Sequence, residues 1–348
     1  MFVSHLSLKD FRSYENLELS LKAGQNIFIG ENGEGKTNII EALMYLALLS
    51  SHRISSDQPL IKLDSERAYI RAKIESDERT TLVELEINNG KANRAKVNQN
   101  PVRSQKEILG LVKSVCFSPE DLDLVRGDPS ERRSFLDQLL IQQSPRLAGV
   151  ISDYERALKQ RNSLLKSRAP ESSLRSWSEH LATFGGELIA GRIKLINEIE
   201  PLFQIAYKNL SAKKLAKLGY KSSIPAPSSE KEVNKEVMLK VIEEVKSQEI
   251  ERGISLVGPH RDDLILNLGD HPVKGYASHG ESWSIALALR LASYQLFINE
   301  GAKPILILDD VFSELDEGRR EKLLEIADSA EQTFITVAVE NDLPKAIQ

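Results

Sequence analysis

A glycine-rich stretch early in the sequence has the residue types needed to hold a phosphate group. It reads GENGEGKT, from Gly30 to Thr37, and it stands between the short apolar run NIFI and the apolar segment NIIEALMYLALL. A GxxxxGKT pattern between a predicted strand and a predicted helix is typical of a phosphate-binding loop. Glycines let backbone N–H groups curl around an anion, Lys36 reaches the β- and γ-phosphates, and Thr37 offers a hydroxyl to Mg²⁺. The alternative is a glycine-rich turn that arose by chance.

Two adjacent carboxylates follow another short apolar run, in the segment PILILDDVFSELD. A buried strand that ends in this way would deliver Asp309 to the Mg²⁺ shell and leave Asp310 beside the attacking water. Taken alone the segment is ambiguous, because buried strands often end in an Asp that meets solvent or caps the next helix. In a chain that also has a complete phosphate-binding loop, we interpret it as the second part of a nucleotide site.

A third segment, YASHGESWSIALALRLASY, covers residues 276–294 and has two interpretations. In the first, Ser278 caps a helix and Glu281 completes a capping box three residues later. In the second, Ser278, Gly280 and the backbone N–H groups around them hold the γ-phosphate of a nucleotide at a helix N-terminus. The order of the three segments along the chain, followed by SELD, favours the second interpretation.

The surrounding sequence predicts a β-rich region, a helical middle and a return to strands. The first hundred residues largely alternate between apolar and polar positions, with Asn89-Gly90 as a hairpin turn. Helical patterning covers about residues 119–218. Within it, Asp128 is expected to begin a helix with Glu131 closing a capping box, and Gly185-Gly186 is expected to break one. PILILDD and TFITVAV are predicted to be buried strands of a parallel sheet.

Composition narrows the class of protein. The chain has 348 residues, 41% of them hydrophobic, which is enough for two or three lobes with cores. No apolar run approaches the roughly 18 residues of a membrane span, and the first residues lack a signal core, so we expect a cytoplasmic protein without a membrane partner. Cys116, the single cysteine, is expected in a buried strand. A net charge of −5 leaves DNA binding open, since a local basic stripe suffices.

Six segments together resemble one family of nucleotide-binding proteins. They are LKDFRSYENLEL, GENGEGKTNIIEAL, FSPEDLDLVRGDPSERRSFLD, GPHRDDL, YASHGES and ILILDDVFSELD. All are similar to the RecF family of bacterial recombination mediators, ATP-binding cassette (ABC) ATPases with heads like those of SMC proteins. The number of residues between Lys36 and Ser278 agrees with this resemblance, because it is larger than in transport ATPases and far smaller than in SMC proteins, which have a long coiled-coil insertion there.

The resemblance implies an α/β fold, that of an ABC-type, SMC-head-like P-loop ATPase. A β-rich nucleotide-binding lobe would comprise residues 1–118 and 295–348. A mainly helical second lobe, residues 119–294, would carry the signature loop. Two subunits would face each other head to tail around two ATP molecules, so that Ser278 and Gly280 act in trans on the partner's nucleotide.

The resemblance also implies a set of site residues. Lys36 and Asp310 would be catalytic, and Thr37 and Asp309 would hold Mg²⁺. The expected ATP-binding residues are Gly30, Glu31, Asn32, Gly33, Glu34, Gly35, Lys36, Thr37, Asn38 and Arg12. Asp310 stands where transporters have Glu and is one methylene shorter, which predicts slow turnover.

Two features depart from the family pattern. Glu281 stands where many relatives have Gln, and it either weakens closure of the dimer or simply caps its own helix. The segment FITVAVENDL lacks the His that transporters have after this strand, which leaves Thr336 as a weak candidate for a γ-phosphate sensor.

The implied function is an ATP-dependent DNA-binding switch of recombinational repair and replication-fork maintenance. ATP would close a homodimer on duplex DNA or on gap and single-strand junctions, slow hydrolysis would open it, and RecO and RecR proteins would join it to load a recombinase. One alternative is a transport ATPase subunit, which is disfavoured by SHGES in place of Leu-Ser-Gly-Gly-Gln. Another is a non-enzymatic DNA clamp that binds ATP structurally.

Basic residues of the middle region are candidates for DNA phosphate contacts or, equally, for solvated helix faces. They are Lys208, Lys213, Lys214, Lys217, Lys221, Arg156, Arg161, Arg168 and Arg175, and Arg132 and Arg133 have the same ambiguity. His260 and Arg261 of GPHRDD are expected to support the lobe interface or the nucleotide site.

Overall fold

The computed structural model describes residues 1–31, 33–51, 53–54, 56–77, 79–211, 214–339 and 343. The chain forms two units, one of Met1–Asp121 with Ser293–Gln348 and the other of Leu122–Ala292. None of the helices in the described ranges combines the length and apolarity that a membrane crossing requires.

The regular elements follow in chain order. The strands are β1 (Phe2–Phe11), β2 (Tyr14–Ser20), β3 (Gly24–Ile29), β4 (Arg67–Ser76), β5 (Arg79–Asn88), β6 (Arg94–Val97), β7 (Asn100–Pro101), β8 (Ser114–Phe117), β9 (Ala216–Lys221), β10 (Asp263–Leu268), β11 (His271–Pro272), β12 (Ile305–Asp309) and β13 (Gln332–Val337). The α-helices are α1 (Lys36–Leu48), α2 (Leu122–Arg126), α3 (Pro129–Gln143), α4 (Leu147–Lys166), α5 (Glu171–Leu210), α6 (Lys231–Arg252), α7 (His279–Asn299) and α8 (Glu317–Ser329).

The strands of the first unit form an antiparallel and a parallel sheet. The antiparallel sheet has the order β2-β1-β4-β5-β6-β7, and the parallel sheet has the order β3-β13-β12-β8. Strand β5 shows why the antiparallel sheet has a core face, because Val83, Leu85 and Ile87 are buried and the residues between them are less so. The predicted hairpin at Asn89-Gly90 is confirmed, since β5 pairs antiparallel with β6.

Beyond its first turn helix α1 is almost entirely apolar, with the exception of Glu41, which suits its position in the first unit. Its residues from Ile39 to Leu48 are all buried. It packs against β8, β12 and β13 and shares one core with Leu6, Ile70 and Leu85 of the antiparallel sheet. A helix without a polar face is stable only where apolar surfaces surround it. This core fixes the helix that follows the predicted phosphate-binding loop.

The second unit is mainly helical, with a small sheet of order β11-β10-β9. Its longest helix, α5, packs against α4, α6 and β9. Buried ion pairs cross its interior. The Arg161 guanidinium lies 2.5 Å from the Glu249 carboxylate, and Arg192 lies 2.8 Å from Asp137. Both arginines are almost fully buried.

The break predicted at Gly185-Gly186 is wrong, because α5 continues through both residues. These glycines are required for close packing instead. A Cβ on Gly185 would lie 2.8 Å from the Met238 sulfur, and one on Gly186 would lie 2.7 Å from the Lys231 carbonyl oxygen. Glycine therefore lets α5 approach α6 closely, and the packing outweighs the poor helix propensity of the pair.

Two other local predictions were wrong. Helical structure ends at Leu210 rather than near Leu218, which lies buried in β9. Asp128 does occupy the N-cap of α3, but its side chain makes no capping hydrogen bond, so the box with Glu131 is absent. The Asp128 carboxylate lies 3.8 Å from the Lys274 ammonium instead.

Other predicted elements were confirmed. Cys116 is buried in β8, and the segments PILILDD and TFITVAV form the parallel strands β12 and β13. Their continuous burial is typical of strands covered on both faces.

The packing of α5 on α6 predicts opposite effects for two Gly→Ala substitutions in the second unit. Gly186→Ala should lower the free energy of unfolding by about 1–3 kcal/mol, because the new methyl group meets backbone atoms of α6. Gly149→Ala in α4 is the matched control, since a Cβ there meets nothing within 4 Å. It should be neutral or stabilising by up to about 1 kcal/mol. Urea unfolding followed by circular dichroism measures both, and equal effects would contradict the packing argument.

Candidate nucleotide site

The segment GENGEGKT connects β3 to α1 in the first unit. Gly33 and Gly35 have φ angles of 94° and 102°, in the left-handed region that favours glycine. A Cβ on Gly35 would lie 2.6 Å from the Tyr14 hydroxyl oxygen. The chain can therefore make this turn directly before α1, and the turn places the positive end of the helix next to the loop.

The Lys36 ammonium is held against the loop itself. It donates to the carbonyl oxygens of Gly30 and of Glu31, the latter at 2.8 Å. These contacts direct the side chain back across the loop, so that the ammonium lies beside the backbone that would surround a phosphate. An arriving phosphate offers Lys36 charged oxygens in place of neutral carbonyl oxygens, and hydrogen bonds between charged groups are the stronger ones.

The other predicted ATP contacts lie around the loop. Glu31, Gly33 and Glu34 are exposed, and Thr37 is half-buried in the first turn of α1. The Asn38 side-chain amide donates to the Ser13 hydroxyl at 2.9 Å. Asn32, also predicted to bind ATP, lies outside the described residues.

Arg12 is bound by a buried carboxylate that the sequence reasoning missed. Its guanidinium donates to both oxygens of Glu41, at 2.7 and 2.6 Å, and to the Pro59 carbonyl oxygen at 2.9 Å. Glu41 is fully buried and also accepts from the Ser51 hydroxyl. Burial raises the pKa of Glu41, but hydrogen bonds from Arg12 and Ser51 outweigh it and hold that pKa below its ordinary value. Arg12 is thus anchored one turn along α1 from the phosphate-binding loop.

Asp309 ends β12 and is almost completely buried. Its Oδ1 atom accepts a hydrogen bond from the Thr336 hydroxyl at 2.5 Å. Burial raises the pKa of Asp309 above its ordinary value, and the Thr336 hydrogen bond opposes that shift. A buried carboxylate with a raised pKa at the end of a strand is a favourable ligand for a hard cation such as Mg²⁺.

Asp310 follows in a left-handed backbone conformation, with φ 51°. Its N–H lies 3.0 Å from the Thr336 hydroxyl and 3.2 Å from the Thr336 carbonyl oxygen. Thr336 therefore contacts both carboxylate residues. The Thr336 hydroxyl is buried and hydrogen-bonds to both of these residues. This favours a role in positioning Asp309 over the γ-phosphate sensor considered for Thr336.

The two halves of the site share one sheet edge. In the parallel register Asp309 pairs with Thr336, and Thr336 pairs with Phe28 on β3. The phosphate-binding loop begins two residues after Phe28, and the carboxyl ends of parallel strands meet at the same edge. The spacing between strands of about 4.8 Å places Asp309 roughly 10 Å from Phe28.

This donor set fits Mg-ATP. The glycine loop and Lys36 would provide donors for phosphate oxygens, and the Thr37 hydroxyl and the Asp309 carboxylate would provide oxygen ligands for Mg²⁺. Mg²⁺ usually takes one or two protein oxygens and completes its shell with phosphates and water. When bound there, it would neutralise charge on the β- and γ-phosphates.

The segment around Ser278 forms the start of α7 in the second unit. The Ser278 N–H donates to a Glu281 carboxylate oxygen at 2.9 Å, and the Ser278 hydroxyl accepts from the Glu281 N–H at 3.3 Å. This is the capping box of the local interpretation. Ser278 is exposed and Gly280 is half-buried. The other oxygen of Glu281 accepts from the Lys214 ammonium at 2.8 Å, a contact that the sequence reasoning missed.

Several basic residues considered for DNA belong to the interior of the second unit. Arg161 is buried and donates to Ser178, Ser255 and Glu249, so neither alternative considered for it, a DNA phosphate contact or a solvated helix face, is correct. Arg132 is buried against Asp263. The buried guanidinium groups of Arg161 and Arg132 cannot contact DNA. Arg133 is half-buried and donates to the Asp262 carbonyl oxygen, and a DNA contact through it stays a prediction.

His260 and Arg261 also contact the interior of this unit. The Ser255 carbonyl oxygen lies 3.2 Å from His260 Nε2 and accepts from Arg261 at 3.0 Å. The Tyr154 hydroxyl lies 2.5 Å from His260 Nδ1. Burial lowers the pKa of His260 to about 4, so the imidazole is neutral at physiological pH. These contacts place the half-buried His260 in the packing of the second unit, whereas Arg261 is exposed and bonds the carbonyl oxygen of the buried Ser255. The expectation that both support the lobe interface or the nucleotide site stays a prediction.

The remaining basic candidates lie at the surface. Lys208, Lys214, Lys217, Lys221, Arg156, Arg168 and Arg175 are exposed, and Lys213 lies outside the described residues. Lys217 and Lys221 have exposed positions on β9 at the edge of its sheet.

The fold and this site define a class, that of ATPase heads. Residues 2–347 match the family model described as RecF/RecN/SMC N terminal domain. The solved Smc head bound to the C-winged helix domain of ScpA has a TM-score of 0.55 over 98% of this chain and 90% of its own, at 16% identity, which shows the fold. The predicted α/β, SMC-head-like fold is confirmed.

Other similarities are closer. A DNA replication and repair protein RecF of Streptomyces avermitilis is 52% identical over 99% of this chain and 95% of its own length, and one of Kineococcus radiotolerans is 49% identical over 100% and 95%. A solved structure of the recombination mediator protein RecF with ATP, in the RecFOR pathway, has a TM-score of 0.91 at 28% identity, covering 99% of this chain and 93% of its own. The chain belongs to the RecF family of ATPases.

The burial of Asp309 predicts a stability effect that is independent of catalysis. In Mg²⁺-free, nucleotide-free buffer at pH 7.5, Asp309→Asn should raise the free energy of unfolding by roughly 0.5–2 kcal/mol, because it removes a desolvated charge and keeps an oxygen for Thr336. The pKa of Asp309 is raised in the folded state, so the cost of the charge is present above that pKa. This cost disappears as the pH falls to about 4, the ordinary pKa of an Asp side chain. Urea unfolding at both pH values tests this, and a variant less stable than the unmodified chain at pH 7.5 would contradict it.

Proposed function

We propose that this chain is an ATP-dependent DNA-binding switch of recombinational DNA repair. The observation that carries the proposal is the shared sheet edge of the first unit, where the phosphate-binding loop and the Asp309–Thr336 pair lie in one register. Membership of the RecF family supports it, since relatives of that family are named DNA replication and repair proteins. The same membership disfavours the alternative of a transport ATPase subunit.

In the first unit, ATP binding draws Lys36 from the carbonyl oxygens of the loop to the β- and γ-phosphates. Thr37 and Asp309 would hold Mg²⁺, which would neutralise charge on these phosphates. Thr336 keeps the Asp309 carboxylate oriented and holds the backbone of Asp310. The Asp310 carboxylate orients the attacking water, and its short side chain reaches it less well than Glu does, so hydrolysis is slow.

In the second unit, Ser278 and Gly280 bind the γ-phosphate held by a second copy of the chain. ATP thereby closes a head-to-tail homodimer on duplex DNA or on a gap or single-strand junction, and hydrolysis opens it. The exposed lysines Lys208, Lys217 and Lys221 are the proposed phosphate contacts of the described middle region. RecO and RecR proteins are the proposed partners, because a RecF relative is described in the RecFOR pathway.

The shared-site mechanism predicts that ATP doubles the mass in solution and that both loops are needed. Light scattering should show a dimer for the unmodified chain with ATP, Mg²⁺ and duplex DNA. Lys36→Met, which removes the phosphate ligand, and Ser278→Arg, which blocks the start of α7, should both remain monomeric.

Ser167→Arg is the matched control, since Ser167 is an exposed serine at the C-terminus of α4 in the same unit as Ser278. It should dimerise like the unmodified chain. Circular dichroism melting of all variants establishes that they are folded. If Ser278→Arg dimerises normally while Lys36→Met does not, the result supports nucleotide binding by the phosphate-binding loop but contradicts the role of Ser278 at the partner's nucleotide.

The Asp310 assignment predicts that binding and hydrolysis can be separated. Asp310→Asn should still form the ATP-dependent dimer but release little phosphate, because the amide is a poor proton acceptor. The unmodified chain should turn over well below the ~10 s⁻¹ typical of many enzymes. Phosphate release with and without DNA measures both. Hydrolysis retained in Asp310→Asn would move the catalytic role elsewhere.

A further inference from the structure

An ion pair occupies the start of α7, next to the proposed γ-phosphate site. The Glu281 carboxylate accepts from the Ser278 N–H through one oxygen and from the Lys214 ammonium through the other. Lys214 is about half exposed, with 54% of its side-chain area accessible, and Glu281 is 26% accessible. Lys214 follows α5 by four positions, so it reaches Glu281 from a distant part of the sequence.

Glu281 poses an electrostatic problem for the proposed function. Hydrogen bonds from Lys214 and Ser278 lower the pKa of Glu281 to about 2, so its carboxylate is ionised at neutral pH. An ionised carboxylate one turn from a bound γ-phosphate would repel it, and repulsion between exposed charges is appreciable within a Debye length of about 8–10 Å. The capping box explains why Glu281 stabilises the helix start, but the repulsion remains.

We propose that Lys214 is a positioning residue of the signature site, which cancels the charge of Glu281 and so permits the γ-phosphate of a partner's ATP to bind there. The proposal rests on the head-to-tail dimer of the proposed function. Lys214 suits this role because its ammonium lies 2.8 Å from Glu281 and remains accessible from solvent. The pair then has no net charge.

A merely structural ion pair predicts something different from charge compensation. If the pair only tethers the start of α7, then Lys214→Gln, Glu281→Gln and the double variant all break it and weaken dimerisation alike. If the pair compensates charge, dimerisation follows the net charge of positions 214 and 281. Glu281→Gln then dimerises most readily, the unmodified chain and the double variant are intermediate, and Lys214→Gln is weakest.

The test is an ATP titration of dimerisation, followed by light scattering with Mg²⁺ at low ionic strength. Lys214→Gln should raise the half-saturating ATP concentration by about three- to tenfold, and Glu281→Gln should lower it by a similar factor, as expected of one unit charge near an exposed site. Lys214→Arg, which keeps the charge, should behave like the unmodified chain. Raising NaCl to about 1 M, where the Debye length is about 3 Å, should bring all variants together.

Lys246→Gln is the matched control. Lys246 forms ion pairs with the exposed carboxylates of Glu171 and Glu243 in the same unit, so its loss should leave the titration unchanged. Equal weakening of dimerisation in the three pair variants would overturn the proposed role of Lys214, and so would a defect of Lys214→Gln that persists in 1 M salt. Neither result would contradict the proposed dimer itself. An unmodified chain that stays monomeric at every ATP concentration, both with and without duplex DNA, would overturn the proposed function and this inference together.

Discussion

Strand β13 is the constraint on which the candidate nucleotide site of the first unit depends. It lies between β3 and β12 and hydrogen-bonds to both, so it sets the level at which the phosphate-binding loop and Asp309 leave the sheet. Thr336 of this strand adds a side-chain contact with Asp309 and two contacts with the backbone N–H of Asp310. A one-residue change in the register of β13 would turn Thr336 to the other face and separate these groups. Asp309, the proposed Mg²⁺ ligand, and the phosphate-binding loop are therefore held in place by backbone pairing.

Buried arginine–carboxylate pairs recur in both units. Arg12 with Glu41, Arg161 with Glu249 and Arg192 with Asp137 each join segments distant in sequence. Such pairs add little net stability, because desolvation offsets their attraction, but removing one partner leaves a buried charge and costs several kcal/mol. These pairs fix the positions of the segments that they join. In the first unit, Glu41 anchors Arg12 within the core that also holds α1, so the predicted ATP contact of Arg12 comes from a side chain with little freedom.

Much of this architecture could be predicted from the sequence because it depends on local patterns. Alternation identified β5 and β6, continuous apolar runs identified β12 and β13, and the glycine motif identified the loop before α1. Predictions failed where a distant segment decides the outcome. Gly185-Gly186 reads as a helix break until α6 is known to pack against it, and Arg161 resembles its exposed neighbours until Glu249 is placed beside it. Thr336 contacts Asp309 and Lys214 contacts Glu281 across strands or loops that are distant in sequence, and no spacing in the sequence predicts these contacts.

At the start of α7, the helix cap and the proposed γ-phosphate site need not exclude each other. The capping box engages the Ser278 N–H and one oxygen of Glu281, and it fixes the first turn of the helix in place. A γ-phosphate needs such a fixed turn, because a frayed helix end presents neither aligned N–H groups nor a defined dipole. The same Glu281 that secures the turn brings a negative charge to it. A cation at Lys214 resolves that conflict without disturbing the cap, since it uses the carboxylate oxygen that the Ser278 N–H leaves unoccupied.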